Sequence, residues 1–420
     1  MLEQFIKNRI IANLSFVPNE GQHELLDKLS RFVVSSDRQK AFILLGYAGT
    51  GKTSIIAALV QAYKELQQKI VLLAPTGRAA KVISRYASTP AYTIHKYIYR
   101  QKQLGEAVFT LNDNLHKNTL FIVDEASMIS GVRDNTMFGS GTLLDDLVKY
   151  VYSGEGCSML LLGDDAQLPP VGSLISPALQ SDYMQKYGLN VTCSILTEVA
   201  RQAMDSGILR NASKIRPVAL GEGQIPHSTW DLLEESSDFI HITGAEVSEK
   251  LEQSYNEVGV EEVMLLTRTN KRTNIYNQGI RTRILWREEE IETGDRLMVS
   301  KNNYFWTEKY DGLPFLANGD ILEIKRLRNV RELYGFRFAD AQLRSLDYDW
   351  EIDAVVWLDT IYSDSPEANN ELHKQLFEHI AEDYPELAKS KKKLIETIYQ
   401  SPYYNALQMR FAYAVTGHKS

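Results

Sequence analysis

Cysteines and long apolar runs are both scarce in this sequence, and each scarcity excludes a class of protein. The 420 residues include two cysteines, Cys157 and Cys193, which cannot build a disulfide framework or a cysteine-rich zinc site. The longest unbroken apolar run covers six residues, Ile55 to Val60, far below the ~18 that a membrane-spanning helix needs. The first residues also lack the basic stretch, apolar stretch and cleavage site of a signal peptide. We therefore expect a cytoplasmic protein with no membrane partner.

An excess of positive charge is missing as well. The chain carries 46 Lys and Arg against 54 Asp and Glu, a formal net charge of -8. This balance excludes a histone-like protein that binds nucleic acid by bulk charge, but it is compatible with phosphate contacts concentrated in one groove. A charged fraction of 24% and a hydrophobic fraction of 44% are typical of globular proteins. At roughly 150 residues per domain, the length predicts two or three domains.

Short apolar runs alternate with helical patterns over the first 195 residues. Strands are predicted at 41–45, 70–74, 119–123 and 158–162, and helices at 53–69, 76–86 and 143–152. Such alternation is typical of crossovers on a parallel sheet. The pattern returns more weakly from about residue 239, with strands at 239–242 and 262–267 and helices at 246–258 and 272–286. We therefore predict a second α/β unit.

Two segments interrupt this pattern. Between roughly 311 and 400, three stretches alternate like antiparallel strands (320–327, 334–339 and 350–358), and two polar helices follow at 366–383 and 385–399. This change predicts a β-rich insertion with a helical extension in the second unit. A shorter excursion at 97–116 predicts a protruding hairpin in the first unit.

The strongest local signal is Gly46–Thr53, whose sequence GYAGTGKT matches the phosphate-binding pattern G-x-x-x-x-G-K-[ST]. It follows a predicted strand and opens a predicted helix, which is the context the chemistry requires, because glycines let backbone N–H groups surround phosphate oxygens at a helix N-terminus. Lys52 would reach the terminal phosphates and the Thr53 hydroxyl would coordinate Mg²⁺. The predicted nucleotide-binding residues are Gly46, Gly49, Thr50, Gly51, Lys52 and Thr53. The alternative is an ordinary glycine turn.

An acidic pair follows the strand at 119–123. Asp124 would hold Mg²⁺ through water, and Glu125 would act as the general base that activates the attacking water. Taken alone, such a pair is more often a solvated strand end. A third motif, GDDAQLPPV at 163–171, carries Gln167 from the end of another strand towards the same sheet edge. Gln167 is predicted to contact the terminal phosphate, and the alternative is a surface glutamine in a proline-stiffened loop.

In this order, the three motifs resemble those of superfamily 1 helicases. The segments APTGRAAK at 74–81 and TIHK at 93–96 narrow the resemblance to the 1B branch, the group of RecD and the phage Dda helicase. The resemblance implies an α/β fold with two RecA-like parallel-sheet domains, a hairpin insertion in the first and a β-barrel-like and helical insertion in the second. The predicted domains are 1–195 with the hairpin at about 97–116, then 196–310 with 401–420, and the insertion at 311–400.

The resemblance also assigns further site residues. Gln22, in the segment NEGQ at 19–22, would read the adenine edge of ATP. Arg201, in LTEVARQ at 196–202, would reach the terminal phosphate from the second domain, and the alternative is an arginine on a helix surface. Together with Lys52, Asp124, Glu125 and Gln167, it would form the catalytic set. ATP and Mg²⁺ are the implied ligands.

A nucleic-acid track is implied on both domains. Backbone contacts to the strand are predicted for Thr76, Thr93 and His95 in the first domain and for Thr416 and His418 in the second, although each alone is more often a helix cap or a satisfied histidine. Phe109 in the hairpin is predicted to stack on the first base pair of a duplex. Its alternative is a small core of the hairpin itself.

The function that follows is an ATP-dependent DNA helicase, moving 5′ to 3′ on single-stranded DNA and separating forked duplex, with ATP hydrolysed between two RecA-like domains. The expected partners are single-stranded and fork DNA and proteins of replication or recombination, and the expected state is a monomer in the cytoplasm, the host cytoplasm for a phage protein. Alternatives are a protein-displacing translocase, an ATP-gated single-strand-binding module, and a small-molecule kinase. Family members continue beyond Ser420 with Gln-Gly and an arginine-containing motif, so we expect a chain truncated within that region.

Overall fold

The computed structural model describes residues 1–101, 109–133, 139–170, 173, 175–198, 206–221, 233–307, 309–310, 315–346, 350–363, 366–387 and 390–417. These residues form two compact units, one up to His241 and a second from Ile242 onward. No helix in these ranges is long and apolar enough to cross a membrane.

The first unit is built on a parallel sheet covered by helices on both faces. Its strands are β1 (Lys40–Gly46), β2 (Lys69–Ala74), β3 (Ala91–Thr93), β4 (Tyr99–Gln101), β5 (Phe109–Leu111), β6 (Thr119–Val123), β7 (Ser158–Gly163) and β8 (Asn190–Leu196). Its helices are α1 (Leu2–Ala12), α2 (Glu20–Val34), α3 (Lys52–Glu65), α4 (Gly77–Ala87), α5 (Ile94–Ile98), α6 (Leu143–Ser153), α7 (Ser181–Gln185) and α8 (Gly207–Ala219). Single 3-10 turns lie at Ala126–Met128 and Pro177–Leu179.

Six of these strands pair in parallel in the order β3-β2-β6-β7-β1-β8. Their nearly continuous apolar sequences fit burial on both faces, as parallel sheets require. Along β1, Phe42 and Leu44 pack into one core cluster while Ala41 and Ile43 pack into the cluster on the opposite face. The four strands predicted for this unit are confirmed to within one residue at each end.

Outside these four strands, the first unit contains a confirmed hairpin, several elements that were not predicted, and a different boundary. The hairpin is confirmed as the antiparallel pair β4–β5, in which Tyr99 faces Leu111 and Gln101 faces Phe109. The sequence patterns did not predict α1, α2, α5, α7, α8, β3 or β8. The grouping of residues into units also places 196–241 in the first unit, whereas the sequence analysis places them in the second domain.

The second unit contains a closed barrel. The strands of the second unit are β9 (Leu265–Thr267), β10 (Arg296–Val299), β11 (Ile321–Leu333), β12 (Phe336–Ser345), β13 (Glu351–Trp357), β14 (Leu407–Phe411) and β15 (Ala414–Thr416). Its helices are α9 (Val247–Val258), α10 (Asn270–Gly279) with a π turn at Ile280–Ile284, α11 (Pro366–Glu382) and α12 (Lys391–Tyr399). Single 3-10 turns lie at Val260–Glu262, Leu358–Thr360 and Pro385–Leu387. The barrel order is β10-β11-β12-β13-β14.

The predicted barrel and parallel sheets are confirmed, but the strands that form them differ in part from the prediction. The barrel recruits β10 and β14 from outside the predicted insertion at 311–400, because both strands are needed to close it. The parallel sheet of the second unit consists, in the described ranges, of β9 and β15. The predicted strand at 239–242 is wrong, since Phe239 forms only an isolated bridge with Ser236.

Candidate functional site

The sheet topology brings three of the predicted motifs to one edge. Strands β6, β7 and β1 are adjacent and parallel, so their carboxyl ends meet. The GYAGTGKT loop follows β1, Asp124 and Glu125 follow β6, and Asp164 follows β7 between them. In open α/β sheets this edge is where ligands bind.

The backbone of the loop explains why its glycines are needed. Gly49 and Gly51 have φ values of 76° and 85°, in the left-handed region that favours glycine. A Cβ on Gly46 would lie 2.8 Å from side-chain carbons of Lys52. The Lys52 ammonium donates hydrogen bonds to the carbonyls of Gly46 and Tyr47, so it lies over the loop that it is predicted to serve. Helix α3 begins at Lys52, which puts Thr53 in its first turn.

The charges around Lys52 form one electrostatic cluster. Burial lowers the pKa of Lys52, and the nearby carboxylates of Asp164, Glu125 and Asp124 oppose this effect. Burial raises the pKa of Asp124, although a hydrogen bond from the Glu125 amide and the charge of Lys52 oppose the rise. The pKa of Glu125 is also raised, first by burial and then by Asp124. The arrangement therefore holds Lys52 and a second cation, Arg216, among three carboxyl groups in a desolvated place, where electrostatic interactions are strong.

Glu125 has an unusual backbone conformation for a residue with a side chain. Its φ of 51° lies in the left-handed region, and the residue is the second after β6 and directly precedes the 3-10 turn at 126–128. Such strain persists where surrounding structure enforces it, and it is concentrated at active sites. Its amide donates a 2.9 Å hydrogen bond to the Asp124 carboxylate, so the two acids are held in a fixed relation.

The predicted magnesium ligands fit a hard cation. A threonine hydroxyl and a carboxylate are oxygen donors of the kind that Mg²⁺ takes in phosphate-binding sites, where phosphate oxygens and water complete its shell. The described ranges contain no group of three or more His, Cys, Asp or Glu that would form an all-protein metal cage. That Thr53 and Asp124 share a cation with the phosphates stays a prediction.

Gln22 lies in a different environment from the one the adenine assignment suggests. It is 3% exposed, its amide donates a 3.0 Å hydrogen bond to the Thr50 carbonyl, and its oxygen accepts one from the Asn19 amide, also at 3.0 Å. The latter bond belongs to a capping box at the start of α2. Both ends of this amide thus hold the loop and the helix together, and adenine recognition stays a prediction.

Gln167 lies in an exposed turn after β7. Its backbone amide donates a 3.2 Å hydrogen bond to the Asp164 carbonyl, so the position of the turn depends on Asp164. The predicted contact between Gln167 and the terminal phosphate stays a prediction.

Arg216 is the site residue that the sequence analysis missed. From α8 its guanidinium pairs with Asp164 at 2.7 Å and lies 3.5 Å from the ring centroid of Tyr47, the second residue of the loop. No local pattern marks this arginine, because its partners lie far away in the chain. An isoleucine followed by an arginine, as at 215–216, is compatible with any surface helix.

The predicted strand-contact residues of the first unit share the same sheet edge. Thr76 follows β2 and Thr93 ends β3, and both cap helices by accepting backbone hydrogen bonds at 3.2 Å. The helix-cap alternative is therefore realised, yet a capping hydroxyl keeps its own proton to donate to a phosphate. Burial lowers the pKa of His95 to about 4, so its imidazole is neutral near pH 7 and would contact a strand by hydrogen bonding rather than by charge.

The remaining predicted site residues are placed only in part. Thr416 lies in β15 of the second unit, opposite Thr267. Phe109 lies in β5, and its backbone faces Gln101. Arg201 and His418 lie outside the described residues.

The chain matches one protein family and is similar to several known proteins. The family described as an AAA domain matches residues 18–241, more than half of the chain. The chain is 26% identical to an uncharacterized protein of Acanthamoeba polyphaga mimivirus, over 96% of this chain and 91% of that protein. It is 24% identical to the ATP-dependent DNA helicase dda of Enterobacteria phage T4, over 73% of this chain and 66% of that protein.

A further relative is the ATP-dependent RecD2 DNA helicase of Deinococcus radiodurans, 28% identical over 46% of this chain and 23% of the helicase. The chain therefore spans less than a quarter of the length of that larger protein. These relatives confirm the resemblance to superfamily 1B that the sequence motifs indicate.

Proposed function

Because the chain belongs to the AAA domain family, we propose that it is an ATP-hydrolysing DNA helicase that moves along single-stranded DNA and separates duplex. The observation that carries this proposal is the convergence of the phosphate-binding loop with Asp124 and Glu125 at one sheet edge. The similarity to the phage T4 and Deinococcus radiodurans helicases supports DNA as the track.

The proposed hydrolysis follows from the chemistry of these side chains. Lys52 and the loop amides bind the terminal phosphates. Thr53, and Asp124 through water, would hold Mg²⁺, which would supply positive charge to neutralise the charge that develops on the phosphates. Glu125 accepts the proton of the attacking water, and its raised pKa makes it a better base than an ordinary glutamate. Gln167 and Arg201 contact the terminal phosphate, and the contact of Arg201 favours closure of the cleft when ATP is bound. These contacts would close the cleft between the two RecA-like domains when ATP binds, and hydrolysis would open it again. This cycle of closing and opening would drive movement along the strand.

The proposed track consists of hydroxyl and imidazole groups that contact phosphate without reading bases. Thr76, Thr93 and His95 hold the strand on the first unit, and Thr416 and His418 hold it on the second. If grip alternates between these sets during each ATP cycle, the protein advances along the strand. The resemblance to superfamily 1B supports a 5′ to 3′ direction. Phe109, in the hairpin, is proposed to stack on the first base pair at the junction with duplex.

The experiment that tests the proposal is steady-state ATP hydrolysis with and without an oligo-dT strand. We expect strong stimulation by the strand and its loss in Lys52→Ala. The matched control is Lys64→Ala, which removes a lysine from the far end of the same helix, where its ammonium contacts the exposed Ser88 carbonyl. Absence of stimulated hydrolysis in the unaltered chain would contradict a motor.

A second assay separates unwinding from translocation. Forked duplexes with a single 5′ tail or a single 3′ tail are offered with ATP, and strand separation is followed by fluorescence. Separation of the 5′-tailed substrate alone is the expected result. Stimulated hydrolysis without any separation would indicate a protein-displacing translocase instead.

A further inference from the structure

We infer that Arg216 is a positioning residue of the nucleotide site, holding the phosphate loop after β1 and the turn after β7 in one fixed relation. The inference rests on the ATP hydrolysis proposed above and adds to it a residue from α8. Its basis is a set of contacts that join three elements of the first unit.

The guanidinium makes two contacts with loops of the site. Its Nη2 donates to the Asp164 carboxylate at 2.7 Å, and its carbon lies 3.5 Å from the centroid of the Tyr47 ring. Asp164 is the first residue after β7, and Tyr47 is the second residue of the GYAGTGKT loop. A planar cation stacked on an aromatic face while bound to a carboxylate is the geometry that arginine provides and lysine does not.

Each partner of Arg216 in turn holds a predicted catalytic group. Asp164 accepts a 3.0 Å hydrogen bond from the Ala166 amide, and its own carbonyl accepts one from the amide of Gln167. The Tyr47 carbonyl is 3.4 Å from the Lys52 ammonium. Movement of Arg216 would therefore be transmitted to Lys52 on one side and to Gln167 on the other.

The Arg216–Asp164 ion pair is buried, whereas a second ion pair made from α8, between Lys214 and Glu234, is on the surface. The Arg216 and Asp164 side chains are 12% and 3% exposed, whereas those of Lys214 and Glu234 are 36% and 69% exposed. The Arg216 Nε–H is also buried with no hydrogen-bond partner in the described part of the chain. An unsatisfied buried donor costs stability, and residues retained at such a cost commonly serve a function.

Arg216 also anchors α8 beside the sheet. Strand β8, paired with β1, ends at Leu196, and α8 begins at Gly207. Through Arg216, this helix is tied to the phosphate loop and to the turn after β7.

The test is a double-mutant cycle between Arg216 and Asp164, read out as kcat and KM for ATP with oligo-dT. Arg216→Lys and Asp164→Asn are each expected to lower kcat/KM about tenfold, because small displacements of reacting groups are costly. The double variant should be no more than about twofold worse than either single variant, since both changes break one contact. Lys214→Ala, the matched control, should leave kcat and KM unchanged.

Binding of a fluorescent ATP analogue and thermal unfolding are measured on the same variants. We expect Arg216→Lys to weaken binding about fivefold while the unfolding temperature changes by only a few degrees, because the cation is retained. Unchanged binding and kcat/KM with a lowered unfolding temperature would show a purely structural ion pair and overturn the inference. Additive losses in the double variant would overturn it as well, since Arg216 would then act without Asp164.

The two proposals fail in different ways. An unaltered chain that binds the analogue but lacks strand-stimulated hydrolysis contradicts the motor. The role of Arg216 is then still decided by analogue binding to the single and double variants of Arg216 and Asp164. A chain with strong stimulated hydrolysis and an inert Arg216→Lys change contradicts the role of Arg216 alone.

Discussion

Replacement of Gln22 by alanine distinguishes a loop-holding side chain from an adenine reader. In the structure the Gln22 amide bridges the Thr50 carbonyl and the Asn19 amide, and the side chain is almost fully buried. The loop-holding role predicts that Gln22→Ala destabilises the first unit and displaces the phosphate loop. It also predicts a similar loss of affinity for ATP and GTP, because no contact to the base is removed.

The expected magnitude follows from two hydrogen bonds. Each contributes about 1 kcal/mol, so the free energy of unfolding of the first unit should fall by about 2 kcal/mol. For a unit of this size, such a loss corresponds to about 4–8 °C in the unfolding temperature. The control is Asn19→Ala. It removes the 2.8 Å hydrogen bond that the Gln22 backbone N–H donates to the Asn19 side chain, and it leaves the contact between Gln22 and the loop in place. We expect the free energy of unfolding to fall by about 1 kcal/mol and the nucleotide affinity to stay unchanged.

The assays are thermal unfolding and KM for ATP and for GTP. A variant with an unchanged unfolding temperature and a selective loss of ATP over GTP would refute the reasoning. That result would mean that Gln22 leaves the loop and reads adenine, as the resemblance to superfamily 1B implies.

Three further predictions concern charged groups. Because the pKa of Glu125 is raised, ATP hydrolysis should be lost on acidification at a higher pH than its ordinary value of 4.5 would give, and Glu125→Gln should lower kcat by about 10²–10⁴ while retaining nucleotide binding. Burial lowers the pKa of His95 from 6.5 to about 4, so its contribution to stability is present above pH 6.5 and lost as the pH falls towards 4. A His95→Gln variant should therefore show a flatter dependence of unfolding temperature on pH, and an unchanged slope would contradict this. Asp295 is fully buried and binds Arg281, Arg287 and the Tyr413 hydroxyl, so Asp295→Asn should destabilise the second unit by about 3–5 kcal/mol in chemical denaturation. Glu261→Gln removes an exposed carboxylate from a 3.4 Å pair with Arg296 and should cost less than about 1 kcal/mol, and equal losses would contradict the argument from burial.

The phosphate-binding loop could be predicted because its chemistry is local. A strand, a glycine-rich turn and a helix start lie within contiguous residues, and the left-handed backbone of Gly49 and Gly51 follows from the same motif. Asp124 and Glu125 were predictable for a related reason, since carboxyl ends of parallel strands meet at one edge. The start of α2 carried a readable signal too, because Asn19 and Gln22 form a capping box that the sequence analysis interpreted only as an adenine-binding motif.

The sequence by itself thus determined which chemical groups follow the central strands and are predicted to bind phosphate, and the alternation of elements determined the parallel sheet. Tertiary structure alone decided that Arg216 meets Asp164, 52 residues away, and that Gln22 is buried under the phosphate loop. It also decided that β10 and β14, from either side of the predicted insertion, complete the barrel. The physical reason is the same in each case: a contact between distant residues depends on how the whole chain packs, and no local period or motif records it.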